Sequence, residues 1–201
     1  MKRLLFAVLL LVLPALQAAA HHPGERIDEV MAEREPAFEP TDPGRAPRLR
    51  GAGADNAPLR LAGLQERIVV VSFALQDCGT LCAAQQALLR EVQAGVNVTP
   101  MRERTIFPTV GPATDEGWDD ENWLRLAAED GAAEAASAFA ALSDRGGNAP
   151  TVHVIDRGGR HSAIFHGADF TRVNLILYIN ELTNAPPPDP GWLDCILAVF
   201  Q

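Results

Sequence analysis

Two cysteines four residues apart, Cys78 and Cys82, are the residues of this chain best suited to chemistry. They follow a β-branched run, Ile68-Val69-Val70-Val71, that closes on Phe73, and then a polar elbow, Gln76-Asp77. They lead straight into the helix formers Ala83-Ala84-Gln85-Gln86-Ala87-Leu88-Leu89. This order predicts a buried strand followed by a helix whose first turn carries both sulfurs. Unpaired N–H groups and the positive end of the macrodipole favour a thiolate there. On a helix, a spacing of four residues puts both sulfurs on one face. Such a pair could clamp one soft metal ion or, with some backbone adjustment, close a disulfide. The plainer alternative, a buried structural pair, fits less well with Gly79 and with the strand-to-helix junction.

The elements that must hold this pair begin after an export signal. Lys2-Arg3, the apolar residues 4–16 and the small residues Gln17-Ala18-Ala19-Ala20 read as a secretory signal peptide over residues 1–20. An uncleaved anchor is the alternative, although a spanning helix needs roughly 20 apolar residues. Export implies the bacterial periplasm, where a cysteine pair is oxidised or is kept reduced for a purpose. Losing the leader removes Lys2 and Arg3 and no acids, so the net charge moves from −9 to −11. An acidic chain without an Arg/Lys patch is a poor nucleic-acid binder, and membrane contact is expected only through the leader. With 201 residues, 47% of them hydrophobic, one domain with extensions is sufficient.

Along the mature chain, His21-His22 beside a free amine could hold copper or zinc weakly. Ile27, Val30 and Met31 predict a short helix within residues 25–33, and residues 36–58, rich in Pro, Gly, Ala and Arg, read as an extended lead-in or linker. Leu59, Leu61 and Leu64 suggest a hairpin or turn. The cysteine helix should run to about Val92 and stop at Gly95. Thr105-Ile106-Phe107 is a second strand, cut short by Pro108, and residues 111–118 are a loop. Asp119-Asp120-Glu121 should cap a helix carrying Trp123, Leu124 and Leu126, and residues 132–142 form another helix ended by Gly146-Gly147. Pro150 opens a strand over Thr151-Val152-His153-Val154-Ile155; Asp156-Arg157-Gly158-Gly159 turns it back into a strand over residues 162–166. Residues 171–182 make a closing helix, Pro186-Pro187-Pro188 ends the domain, and the apolar tail 192–200 could pack back as a short helix.

Strand, cysteine helix, strand, helices, Pro-Thr strand, hairpin and terminal helix together resemble the thioredoxin-like superfamily. The resemblance implies an α/β, three-layer fold with a central mixed sheet flanked by helices, preceded here by an extended N-terminal lead-in. It implies a cis proline facing the active cysteines, which Pro150 would supply. Within the superfamily, the CxxxC spacing of Cys78 and Cys82, Phe73 five residues before the first cysteine, and Val154-Ile155-Asp156 with its glycines resemble the Sco family. Those exported proteins help build the copper-A site of cytochrome c oxidase. The domains expected are residues 1–20 as leader, 21–57 as helix and lead-in, 58–184 as the Sco-type unit, and 185–201 as a Pro-rich turn and apolar tail.

The departures from that pattern shape the functional expectation. Gly79 and Ala83 stand where the family usually has proline after each cysteine, and Asn148 stands where it has its third copper ligand, a histidine. An amide is a poor ligand for Cu(I), which prefers thiolate and imidazole. His153 is the expected substitute ligand beside Cys78 and Cys82, with His161, His166 and Cys195 as alternatives. Cys195 could equally be a free buried thiol or a resolving partner for the pair. Two functions follow. One is copper delivery by ligand exchange to a cytochrome c oxidase subunit or another periplasmic copper or thiol protein. The other is thiol–disulfide exchange, with Cys78 as nucleophile, Cys82 resolving the mixed disulfide and Pro150 shaping the groove for the partner's strand. A fold kept only for protein interaction is the third class.

Overall fold

The computed structural model describes residues 26–53, 56–147 and 149–185. The leader, His21-His22, Asn148 and Cys195 lie outside the described residues. Among those described, one eight-stranded sheet runs in the order β1-β8-β7-β4-β5-β6-β2-β3. Its strands are β1 (Phe38–Arg45), β2 (Arg50–Ala52), β3 (Pro58–Arg60), β4 (Ile68–Phe73), β5 (Thr105–Val110), β6 (Trp123–Ala128), β7 (Thr151–Ile155) and β8 (Arg160–His166). Four α-helices accompany it: α1 (Ile27–Arg34), α2 (Gly79–Asn97), α3 (Ala132–Ala140) and α4 (Arg172–Asn184). None of them is long and apolar enough to cross a membrane.

β4 is the central strand because all six of its residues are buried, as a strand covered on both faces requires. It pairs in parallel with β5 and antiparallel with β7. Its residues alternate between two cores. Ile68 and Val70 pack with Leu89, Val92 and Val96 of α2 and with Leu175, Tyr178 and Ile179 of α4. Val69, Val71 and Phe73 pack on the other face with Phe139 of α3 and Leu126 of β6. The protein is therefore the three-layer α/β fold expected, with α1, α2 and α4 on one side and α3 on the other.

Four expectations are corrected. The lead-in is part of the sheet: β1 adds to the β8 edge through pairs such as Phe38↔Phe165, and β2 bridges β6 to β3. Its lack of sequence period reflects strands whose partners lie far along the chain. Residues 123–128 form a strand, not a helix, because they pair with β5 from Phe107↔Trp123 to Val110↔Leu126. An apolar run of that length carries no decisive period, so pairing settles it. Pro108 does not end β5. The β4–β5 pairing is interrupted beside it, between Val69↔Ile106 and Ser72↔Thr109, where its missing N–H leaves out one ladder bond, and then resumes. Gly95 lies inside α2 rather than after it; a Cβ there would meet Ile176 Cδ1 at 2.6 Å, so the glycine permits the close approach of α4.

Glu35 ties the lead-in to α4. Its buried carboxylate accepts from Thr171 N at 2.8 Å, Asn174 Nδ2 at 3.0 Å and Ala37 N at 3.3 Å. Burial alone would raise its pKa, but these donors outweigh that and hold it below the usual value. Because Thr171 supplies no side-chain cap of its own, Glu35 acts as the cap of α4. Replacing Glu35 by alanine is expected to remove about 2 kcal/mol from the unfolding free energy, read from the shift of a urea transition.

Candidate functional site

The chain leaves β4 at Phe73 and makes a turn in which Cys78 N donates to Leu75 O at 3.3 Å. Cys78 is the residue before α2, and Gly79 opens the helix at φ +62°, in the left-handed region. Proline, fixed near φ −65°, cannot adopt that backbone, so the loop shape here excludes the Cys-Pro pair of the resemblance. Cys78 and Cys82 form a disulfide with Cα atoms 5.5 Å apart. Cys78 is half-buried, whereas Cys82 is 6% exposed. No acidic residue occupies the first turn of α2 itself, although Asp77 directly precedes Cys78. Cys82 Sγ lies 3.6 Å from the Phe73 carbonyl oxygen, a neighbour that suits a thiol better than a thiolate. Leu81, between the two cysteines, is exposed.

Pro150 comes to the same edge of the sheet. The pairing Ser72↔Val152, continued by two residues, sets Pro150 opposite Ala74, just past the end of β4. It is also joined to the cysteine helix. Gln85, one turn after Cys82, donates from Nε2 to Pro150 O at 3.0 Å and to Gly167 O at 2.6 Å. The cis bond expected at Ala149–Pro150 is absent: no peptide bond among the described residues is cis. The ordinary trans preference of an X–Pro bond prevails.

The histidines go elsewhere. His153 pairs with Val71, and its ring packs against Phe73 at 6.1 Å and Phe139 at 5.0 Å between centroids, on the α3 face of the sheet. The cysteine helix covers the opposite face, so the structure does not bring His153 to the sulfurs as the sequence expectation required. Both of its ring nitrogens are engaged, Nδ1 with His161 Nε2 at 2.9 Å and Nε2 with Thr151 Oγ1 at 2.8 Å. His161 Nδ1 meets Thr41 Oγ1 at 2.9 Å. His166 Nε2 meets Glu39 Oε2 at 2.6 Å, and Ser143 Oγ and Asp144 N also donate to that carboxylate. Burial pushes His153 well below the usual histidine value, and the neighbouring imidazoles add to that; burial takes His161 down to about 4. Among the described residues, no group of three His, Cys, Asp or Glu side chains could hold a metal ion. The donors described therefore do not complete a three-ligand copper site.

Gln85 was not singled out from the sequence, nor were Glu39 and Thr41. One signal was available. Gln85, Gln86 and Gln93 recur at helical spacing on the face of α2 that also carries Cys82, Leu89, Val92 and Val96, and all three amides are buried. Buried amides on an apolar face demand partners.

A sheet-and-helix sandwich of this topology, with a disulfide at the mouth of the helix that follows the central strand, defines an α/β protein of thioredoxin-like fold. Its neighbours among solved structures are Sco-family proteins and thioredoxin-like thiol–disulfide oxidoreductases. BsSco, a member of the Sco family of cytochrome c oxidase assembly proteins for which a disulfide switch has been identified, aligns with a TM-score of 0.56 at 13% identity, over 72% of this chain and 98% of BsSco. A SCO1/SenC family lipoprotein from Bacillus anthracis aligns with a TM-score of 0.56 at 15% identity, over 73% and 98%. A thiol:disulfide interchange protein of the thioredoxin family from Chlorobium tepidum reaches 0.50 at 19% identity, over 69% and 95%. At these identities the likeness is one of fold. No family model matches the chain, and no curated protein matches it in sequence.

Proposed function

We propose that this chain is an exported thiol–disulfide exchange protein of Sco type, built on residues 58–184 with the lead-in strands added at the edges of the sheet. The observation that carries the reading is the Cys78–Cys82 disulfide at the helix mouth, with Cys78 partly exposed and Cys82 buried. In the reduced protein, the Cys78 thiolate attacks a partner disulfide, forms a mixed disulfide and releases one partner thiolate. The Cys82 sulfur, losing its proton to solvent, then attacks Cys78 and releases the second partner thiolate. Two electrons pass to the partner, the Cys78–Cys82 bond closes, and an upstream dithiol donor must reopen it. The partner implied by the Sco resemblance is a cytochrome c oxidase subunit whose copper-A cysteines must be reduced before they can take metal, and the setting is the periplasm.

Copper delivery is the second reading, favoured by two sulfurs presented together at one helix mouth. It needs a third donor from outside the described residues, such as Cys195. One titration separates the two readings. Reduced protein is titrated with Cu(I) against a competing chelator, alongside Cys78→Ser, Cys82→Ser, His153→Ala and Cys195→Ser, and the dithiol potential is measured in parallel. Exchange predicts weak copper binding with no further loss in His153→Ala, and a potential of roughly −200 to −270 mV. Tight one-to-one binding lost in Cys78→Ser, in Cys82→Ser and in one of the other two variants would establish delivery instead.

A further inference from the structure

Gln85 is a fully buried polar side chain that the exchange chemistry of the two sulfurs does not itself use. Its amide orientation is forced. Both atoms facing Nε2, Pro150 O at 3.0 Å and Gly167 O at 2.6 Å, are carbonyl oxygens, so only an NH₂ group can point at them. Gly167 N also donates to Pro150 O at 2.8 Å, so the three groups close the open end of the β7–β8 hairpin. The opposite atom, Gln85 Oε1, is buried with no hydrogen-bond partner among the described residues. An apolar side chain at this position would leave no orphan acceptor and would continue the apolar face of α2. What the amide alone supplies is two donors that reach from the cysteine helix to the strand entering at Pro150. Side chains on a helix lean toward its N-terminus, which directs this clamp to the Cys82 end of α2.

We infer that Gln85 is a positioning residue for disulfide exchange: it fixes the Pro150 end of β7 relative to the Cys78–Cys82 pair, and so sets how a partner's cysteine-bearing segment seats beside Cys78. This rests on the exchange function proposed above and adds the residue that ties the docking edge to the redox pair. Gln85 never touches the reacting sulfurs, so its loss acts first on seating. A displaced strand end misplaces the bound segment, and misplacement by about 1 Å is enough to cost up to a hundredfold.

The test uses the full chain in reduced form and, as probe, a short synthetic peptide closed by one disulfide and carrying a fluorophore and quencher. Gln85→Met and Gln85→Glu are compared with the parent chain, and KM and kcat are measured from pH 5 to 8 with a small dithiol recycling the Cys78–Cys82 disulfide and its direct reduction of the peptide subtracted. Gln85→Met is expected to raise KM by about tenfold or more with a smaller change in kcat. Gln85→Glu is expected to be worse still at pH 8, where a carboxylate faces two carbonyl oxygens. It should recover toward the parent KM on acidification, because the protonated acid regains one donor. A residue that merely fills space would not produce this pH-dependent rescue. If Gln85→Met does not fold, the pH response of Gln85→Glu and the KM of Gln85→Asn, whose shorter arm cannot span both carbonyls, carry the test. Folded variants that keep the parent KM, or a Gln85→Glu profile parallel to that of the parent, would overturn the inference while leaving exchange intact. A parent chain that exchanges nothing with the peptide would remove the functional reading and this inference together.

Discussion

Cys82→Ser is expected to halt exchange at its midpoint, accumulating a mixed disulfide between Cys78 and the attacked partner. Cys78 is the more exposed cysteine, at the start of α2, while Cys82 is buried against the Phe73 carbonyl. A partner disulfide therefore reaches Cys78 first. Without Cys82, no second thiol among the described residues can displace the bound partner, and combining Cys82→Ser with Cys195→Ser removes the remaining cysteine. Cys78→Ser has the larger effect: exchange should fall on the order of a thousandfold or to background, because a hydroxyl supplies no thiolate near neutral pH. Non-reducing gels and intact-mass measurement after mixing with the quenched peptide read both outcomes. If the adduct formed on Cys82 in the Cys78→Ser chain, and not on Cys78 in the other, the assignment of attacking and resolving sulfur would reverse.

Acid should destabilise the fold sharply, through the histidines of the α3 face. One ordering of protons satisfies their contacts: Thr151 donates to His153 Nε2, His153 Nδ1 donates to His161 Nε2, and His161 Nδ1 donates to Thr41 Oγ1, whose own hydroxyl donates to the His161 carbonyl. Each ring in this chain is neutral. One added proton reverses part of the ordering, and two place opposing N–H groups 2.9 Å apart. Both histidines have folded-state values below the unfolded one, so the unfolded chain takes up protons first. Stability is therefore intact above about pH 6.5 and is lost as pH falls toward about 4, the value to which His161 is lowered. For His161 alone the full effect is roughly 3 kcal/mol, a large share of the 5–15 kcal/mol typical of a domain. His153 adds to it. Glu39, lowered despite its burial by donors from Ser143, Asp144 and His166, acts in the same direction when it is protonated. Asp28, raised by burial at its bond to Tyr178, opposes the trend. Urea transitions at pH 7.5 and 4.5 measure the loss. Histidine ring signals that titrate normally near pH 6.5 would rule out this account.

The same cluster explains how far a sequence can go toward the site. A strand-to-helix junction is local: six consecutive buried positions, a short elbow and a run of helix formers suffice to specify it, so the cysteine pair, its helix and the Pro150 strand were legible from residues 67–87 and 148–166 alone. The expectation that helical spacing puts both sulfurs on one face is corrected: Cys78 stands just before α2 with the left-handed Gly79 between, and it is the disulfide that joins the pair. The partners of His153 were not legible. A strand histidine has two faces to choose from, and only the register Val71↔His153 and the seat of Phe139 assign it to α3's side, away from the sulfurs. In the same way, Glu39 and Thr41 lie more than a hundred residues before the histidines they bond, in a stretch without period.

What the sequence determined by itself is the cysteine pair and the local frame that presents it, because helix starts, strand runs and turns are fixed by neighbours in the chain. Tertiary structure alone decided what stands around the pair. Long-range pairing placed Gln85 under Pro150 and put β1 on the outer edge of the sheet, and it carried all three described histidines to the face opposite α2. The physical reason is that side-chain facing in a sheet depends on register between distant strands, which no single stretch of chain encodes.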